Sequence, residues 1–137
     1  MNIVFDLDNT ITDDFGKRLR PGIIDLFIAL ENNGFSLFLW TSSIGERALS
    51  ILYELNIRKY FKKCIYREDY DPQNSGIGKD IRSIKGDLLV DDDPGQIKYV
   101  KSIGRAGYLI SPFRTAGSVD SKELEILYKK IIQMKRI

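Results

Sequence analysis

Apolar residues along this chain come in two kinds of run. Ile3-Val4-Phe5, Phe35 to Trp40 and Leu88-Leu89-Val90 are short and almost unbroken. That is the pattern of strands covered on both faces in a parallel sheet. Lys63 to Tyr66 and Ala106 to Ile110 are weaker runs of the same kind. Elsewhere apolar residues recur at helical spacing. Ile23, Phe27 and Leu30, joined by Ile24 and Leu26, share a face of a helix opened by Arg20-Pro21-Gly22 and stopped by Asn32-Asn33-Gly34. A second helix follows Thr41-Ser42-Ser43 and buries Ala48, Leu49, Ile51, Leu52 and Leu55, with Ser42 or Ser43 as its cap. A short helix is expected near Lys79 and another over Gln96 to Ile103. Asp120…Glu123 reads as a capping box opening a last helix, with Leu124, Leu127, Tyr128, Ile131 and Ile132 on its apolar face. Thr12 to Leu19 and Arg67 to Gly78 are polar and broken, and read as loops, the first a small flap.

Strands alternating with helices predict a doubly wound, Rossmann-like α/β fold, its sheet mostly parallel with helices on both faces. Residues 1–137 read as one domain, since neither Thr10 to Thr41 nor Thr41 to Lys79 has room for an inserted one. The chain is 43% apolar and 29% charged, ordinary for a globular protein. Its net charge of +2 is too small to argue for nucleic acid or an anionic membrane. No run is long enough to span a bilayer and no leader pattern opens the chain, so a soluble, cytoplasmic protein is expected. Cys64, the one cysteine, allows no internal disulfide and reads as a small core residue. Histidine is absent. That excludes Ser-His and Cys-His nucleophile pairs and histidine metal ligands, and leaves acid and base work to carboxylates, Lys or Tyr.

The candidate chemistry sits where the strands end. Asp6 and Asp8 follow the first strand, and on an extended segment residues two apart point to one side, unless the chain turns between them. Two carboxylates offered together call for a cation or a shared proton, and hard oxygen ligands suit Mg²⁺. Thr41 ends the second strand, and Asp91 and Asp92 end a later one. Lys79 stands at the edge of a Gly-containing loop before that strand. In a parallel sheet these ends lie on one side and open onto one crevice. Taken singly, each has a plainer reading: Asp6 and Asp8 a turn, Thr41 a helix cap, Lys79 a surface charge, Asp91 to Asp93 a turn whose Asp caps the next helix.

In combination and in this order, the residues resemble the haloacid dehalogenase superfamily of aspartate-nucleophile phosphohydrolases. Asp6, Asp8 and Thr10 match its Asp-x-Asp-x-Thr motif, Thr41 its second motif, Lys79 its lysine (Lys85 being the alternative), and Asp91 and Asp92 its closing acidic pair. Arg20-Pro21-Gly22, Lys79-Asp80-Ile81, Val90 to Pro94 and Ser111-Pro112-Phe113 are similar to the capless branch that includes the polymerase-tail phosphatases. Asn9 departs from it, standing where those enzymes usually carry Glu.

The resemblance implies a Mg²⁺-dependent phosphatase. Asp6 would be the nucleophile that becomes an aspartyl-phosphate, and Asp8 the acid and base. Thr41, Ser42 and Lys79 would bind the phosphoryl group together with Asp6. Asp6, the Asp8 carbonyl, Asp91 and Asp92 would hold the metal, and Thr10 would orient the loop. An open site without a cap suits a phosphoprotein, a nucleic-acid end, or a small metabolite if another subunit supplies the lid. Arg18, Arg20, Arg67 and Lys85 are candidate substrate contacts. A non-hydrolysing phosphate- or partner-binding domain is the alternative, although a pure binder has no need of Asp8. Motif order argues against a receiver domain, and the second Asp of the first motif against a dehalogenase.

Overall fold

The computed structural model describes residues 1–116 and 122–135. Five strands form one parallel sheet: β1 (Asn2–Phe5), β2 (Ser36–Trp40), β3 (Lys63–Ile65), β4 (Leu88–Asp91) and β5 (Ala106–Leu109), in the spatial order β3-β2-β1-β4-β5. The helices are α1 (Ile23–Asn32), α2 (Gly45–Glu54), a single turn α3 (Arg67–Tyr70), α4 (Pro94–Ser102) and α5 (Glu123–Lys135). This is the doubly wound α/β arrangement expected. Among the described residues no second folded unit interrupts it.

Alternation along the central strands divides the core in two. Ile3, Phe5, Leu37, Leu39, Leu88 and Val90 face α1, α2 and α5, where Phe27, Leu52, Leu127 and Ile131 cover them. Val4, Phe38, Trp40 and Leu89 face the other way, onto Ile81 and the α4 residues Ile97 and Val100. Cys64 is buried with the first cluster, as a core residue should be. β1 lies at the centre, and the chain winds to β2 on one side and β4 on the other. The strand order therefore reverses at β1, and the crevice at its carboxyl end is where such sheets place ligands.

Local chemistry moves some boundaries. Helix α1 begins at Ile23, after Gly22 takes the left-handed conformation (φ 84°). Helix α2 is capped by neither Ser42 nor Ser43. Thr41 Oγ1 accepts the Ser43 N–H at 3.0 Å, Ile44 becomes the flanking residue, and Glu68 Oε1 accepts the Gly45 N–H from across the fold at 2.8 Å. The segment after β3, read as loop, makes one helical turn at Arg67–Tyr70, with the Asp69 carboxylate accepting the Tyr66 N–H at 2.9 Å. Near Lys79 the expected helix is a 3₁₀ turn over Ile81–Ile84. Asp93 caps α4 by accepting from Gly95 N–H at 2.9 Å, with Pro94 in the first turn. Asp120 of the expected capping box lies outside the described residues, while Glu123 accepts from Ser111 N–H at 3.0 Å.

Gly86 is packed where no side chain fits. A Cβ there would lie 2.8 Å from Ile81 Cβ and 2.9 Å from Val4 Cγ2. Gly86→Ala is expected to cost about 1–3 kcal/mol through overpacking, read as a lower midpoint of urea unfolding with an unchanged slope.

Candidate active site

The first motif does not stay extended. After β1, Asp6 N–H still bonds Val90 O at 3.0 Å, but the amides of Thr10, Ile11 and Thr12 all converge on Leu7 O at 2.9–3.3 Å. Leu7 is fully buried and Asn9 is left-handed (φ 65°). The chain thus turns between the two acids. Asp6 points inward and is 7% exposed, whereas Asp8 points to the mouth of the crevice. The expectation that they share one side of a strand fails because one carbonyl gathers three amides into a tight loop.

Arg20 holds that loop in place. It is 2% exposed, and it donates to Thr10 O at 2.6 Å, Asn9 O at 2.9 Å and Ser111 O at 2.5 Å. Phe113 N–H also reaches Asn9 O at 2.8 Å. Arg20 is therefore a structural clamp rather than a substrate contact. Arg18 lies on the flap, donating to Thr115 O and sitting 3.6 Å from Asp13. Lys85 closes the 3₁₀ turn with φ 55°, and its carbonyl accepts from Asn2 Nδ2, at the opposite end of β1 from Asp6. The Arg67 backbone N–H bonds Ser43 O at 3.0 Å.

Lys79, not Lys85, meets the acids. Its Nζ lies 3.0 Å from Asp6 Oδ1 and 2.8 Å from Asp91 Oδ2, and the residue is 2% exposed. An irregular segment delivers it. Asp71, buried, accepts from the amides of Ser75, Gly76 and Ile77, which shapes the loop. Gly78 passes so close to Tyr99 that a Cβ would meet the ring at 2.5 Å, and Lys79 N–H bonds Gln96 Oε1 at 2.9 Å. Asp91 ends β4 and accepts the Asp93 N–H at 3.0 Å through its other oxygen. Thr10 Oγ1, fully buried, stands 3.3 Å from Asp6 Oδ2 and 3.4 Å from Asp92 Oδ1.

Three carboxylates surround one ammonium, and their proton affinities show the imbalance. Burial pushes Asp6 up to about 6 against the pull of Lys79, with Asp92 adding to the rise. Burial and then Asp6 push Asp91 up to about 6, and burial raises Asp92 as well. Burial works against the charge on Lys79, but Asp6 and Asp91 outweigh it and hold the ammonium firmly protonated. At an effective dielectric near 20, unit charges 4 Å apart interact by about 4 kcal/mol. One ammonium therefore leaves this cluster short of positive charge. One oxygen each from Asp6, Asp91 and Asp92 lie within 4.8 Å of one another, so these residues fit a hard divalent cation. The Asp8 side chain is not part of that group.

The cleft has a volume of about 150 Å³, and Asp6, Asp8, Ser42, Lys79, Asp91 and Asp92 are among its walls. Thr41 stands behind them, 1% exposed, with its hydroxyl oxygen occupied by the Ser43 amide. A larger hollow of about 600 Å³ lies between Trp40, Ile65, Tyr70 and Ile84. It lacks the acid cluster, so the smaller cleft is the chemical one. Sequence reasoning missed Arg47, whose guanidinium bonds both oxygens of Asp8 at 2.8 and 2.9 Å. It also missed Asp71 and Gln96. Asp71-Pro72 ahead of Ser75-Gly76 is a recognisable loop-forming pattern. Arg47 carries no such signal, since its partner lies 39 residues away.

Comparison with known proteins agrees with this geometry. No curated protein matches the chain in sequence. Among solved structures, D,D-heptose 1.7-bisphosphate phosphatase from B. bronchiseptica, complexed with magnesium and phosphate, is 15% identical with a TM-score of 0.68, over 97% of this chain and 98% of that one. A hydrolase from Streptococcus pneumoniae TIGR4 is 15% identical with a TM-score of 0.66, over 92% and 97%. At that identity the likeness concerns the fold. The model of the NLI interacting factor-like phosphatases matches residues 1–137, the whole chain. With Asp6, Lys79 and the Asp91-Asp92 pair gathered in one cleft, the chain belongs to the NLI interacting factor-like phosphatase family and is a phosphoric monoester hydrolase.

Proposed function

We propose that the protein is a Mg²⁺-dependent phosphomonoesterase that works through an aspartyl-phosphate at Asp6. The observation that carries this reading is the placement of Asp6. It is buried against Lys79 and the acid pair, and Asp8 stands two residues on at the cleft mouth. Asp6, Asp91 and Asp92 would hold Mg²⁺, with the Asp8 carbonyl as the family resemblance implies. Bound there, Mg²⁺ offsets charge on the phosphoryl group.

The chain's own residues supply the rest. A carboxylate oxygen of Asp6 attacks phosphorus, the bond to the leaving oxygen breaks, and Asp8 gives that oxygen its proton. Asp8, now ionised, takes a proton from water as the water attacks the phosphorus. The bond to Asp6 breaks, releasing phosphate and restoring both side chains. Lys79 steadies the charge that develops on the phosphoryl oxygens. Ser42 and its amide would bind those oxygens, and Thr41 holds that turn by accepting the Ser43 N–H. Residues 1–137 act as one domain. An open cleft without a cap accepts a phosphate that projects from a larger molecule as readily as a small ester.

Asp6→Asn is expected to abolish hydrolysis of an aryl phosphate in Mg²⁺, by at least about a thousandfold, while circular dichroism stays that of the folded protein. Residual activity near that of the unaltered enzyme would remove Asp6 from the nucleophile role. Asp8→Asn is expected to slow alkyl phosphates by about a hundredfold or more and aryl phosphates by less. The reason is that a poor leaving group depends most on its proton. Equal losses measured for the two classes would contradict that assignment.

The acid cluster also predicts a pH-dependent response to metal. Asp6 and Asp91 sit near 6 in the folded chain against an ordinary 3.8. Between those values the folded protein holds protons that the unfolded chain has released. Their contribution to stability therefore falls as pH rises through that window. Asp13, Asp71 and Asp80, all lowered, contribute in the opposite sense. The difference in melting temperature with and without Mg²⁺ isolates the site. It is expected to be small near pH 5 and several degrees near pH 7.5. A difference independent of pH would show that Mg²⁺ does not bind this cluster.

A further inference from the structure

Both oxygens of Asp8 are occupied in the structure. Arg47 donates from Nη1 to Oδ2 at 2.9 Å and from Nη2 to Oδ1 at 2.8 Å, and Nη1 also donates to Ser43 Oγ at 3.1 Å. The site has a depth axis. Lys79 and Asp6 lie at the bottom, while the Asp8 and Arg47 side chains, 27% and 41% exposed, lie at the mouth. A guanidinium that clasps both oxygens of Asp8 competes with a leaving group for the acid. A substrate group that engages Arg47 would relieve that competition. The leaving oxygen sits against Asp8, so substituents a few atoms beyond it come within reach of Arg47. Carboxylate and phosphate match the guanidinium fork that Asp8 fills here.

The charge inventory points the same way. Asp6, Asp8, Asp91, Asp92 and Asp93 all line the cleft with Lys79, and Arg47, just outside that lining, is the exposed cation paired with Asp8 among the described residues. The flap passes beside that cation. Gly16, left-handed at φ 68°, lies so near that a Cβ would meet Ile51 Cδ1 at 2.5 Å and Arg47 Nη2 at 3.6 Å. Asp13 and Asp14 tie the same flap to Thr115 at 2.7–2.9 Å. Gly16 thus lies close beside the Arg47 guanidinium, whose bonds to Asp8 and Ser43 are at the cleft mouth.

We propose that Arg47 is the substrate-recognition residue, exchanging Asp8 for a second anionic group carried by the leaving portion of the ester. The preferred substrates are then phosphomonoesters with a carboxylate or a second phosphate a few atoms from the scissile phosphoryl. This rests on the phosphatase reading above. One binding event fills the specificity contact and frees the acid.

The test compares 2-phosphoglycolate with ethyl phosphate, which differ in a carboxylate against a methyl group, in the wild type, Arg47→Met and Arg47→Lys. The wild type is expected to favour phosphoglycolate in kcat/KM by at least about tenfold. Arg47→Met is expected to bring the ratio to within about threefold, and Arg47→Lys to leave an intermediate one. A residue that merely positions Asp8 would slow both esters together and leave the ratio untouched. That outcome overturns the proposal, as does a wild type with no preference. Should Arg47→Met lose its native circular dichroism, the ratio in Arg47→Lys decides. If the wild type turns over neither ester nor an aryl phosphate, the phosphatase reading itself fails, which is a separate result.

Discussion

Lys79 reaches Asp6 and Asp91 from a segment with little regular structure, and the ammonium it buries there ties three parts of the chain together. Asp6 follows β1, Asp91 ends β4, and Lys79 comes from the loop shaped by Asp71. Removing one partner of such a buried pair costs about 3–5 kcal/mol, since the remaining charge is left without a counterpart. The same arrangement carries the chemistry. In the proposed mechanism Asp6 is a nucleophile kept among like charges, and the ammonium alone does not balance the acids around it. Stability and function would then pull against each other at this point, and a divalent ion would reconcile them.

Around that centre the fold spends its irregular segments on positioning. Leu7 O gathers three amides so that Asp6 turns inward and Asp8 outward. Arg20 locks the resulting loop to Ser111 and Phe113. This joins the first motif to the stretch between β5 and α5, where Ser111 lies 91 residues beyond Arg20. Glu68 caps α2 from a distance, which frees Thr41 to shape the turn bordering the cleft. Each contact satisfies polar groups that would otherwise be buried alone, and together they bring separated acids to one crevice.

Much of this was legible in the sequence. Strands β1, β2 and β4 were readable because doubly covered parallel strands must be apolar on both sides, and the acids at their ends followed from the topology. The motif pattern singled out Asp6, Lys79, Asp91 and Asp92, which the fold brings together. What escaped depended on partners distant in sequence. Arg20 read as a candidate substrate contact, because the carbonyls it binds belong to a loop whose turn is not encoded in residue spacing. Arg47 and Glu68 act on residues 39 and 23 positions away. Ser42 and Ser43 had the right composition for a helix cap, but Thr41 claimed the Ser43 amide first. Local pattern reports periodicity and turn chemistry, whereas a polar side chain's partner is fixed only once the strands are docked.

The account turns on a covalent bond at one residue. Its most direct test is to quench the enzyme during turnover of an aryl phosphate in Mg²⁺, reduce it with borohydride and sequence the peptides by mass spectrometry. An aspartyl-phosphate reduces to homoserine. The account predicts homoserine at position 6, formed only when substrate is present. Steady turnover with no reduction product at position 6, or with one at another acid, would contradict it.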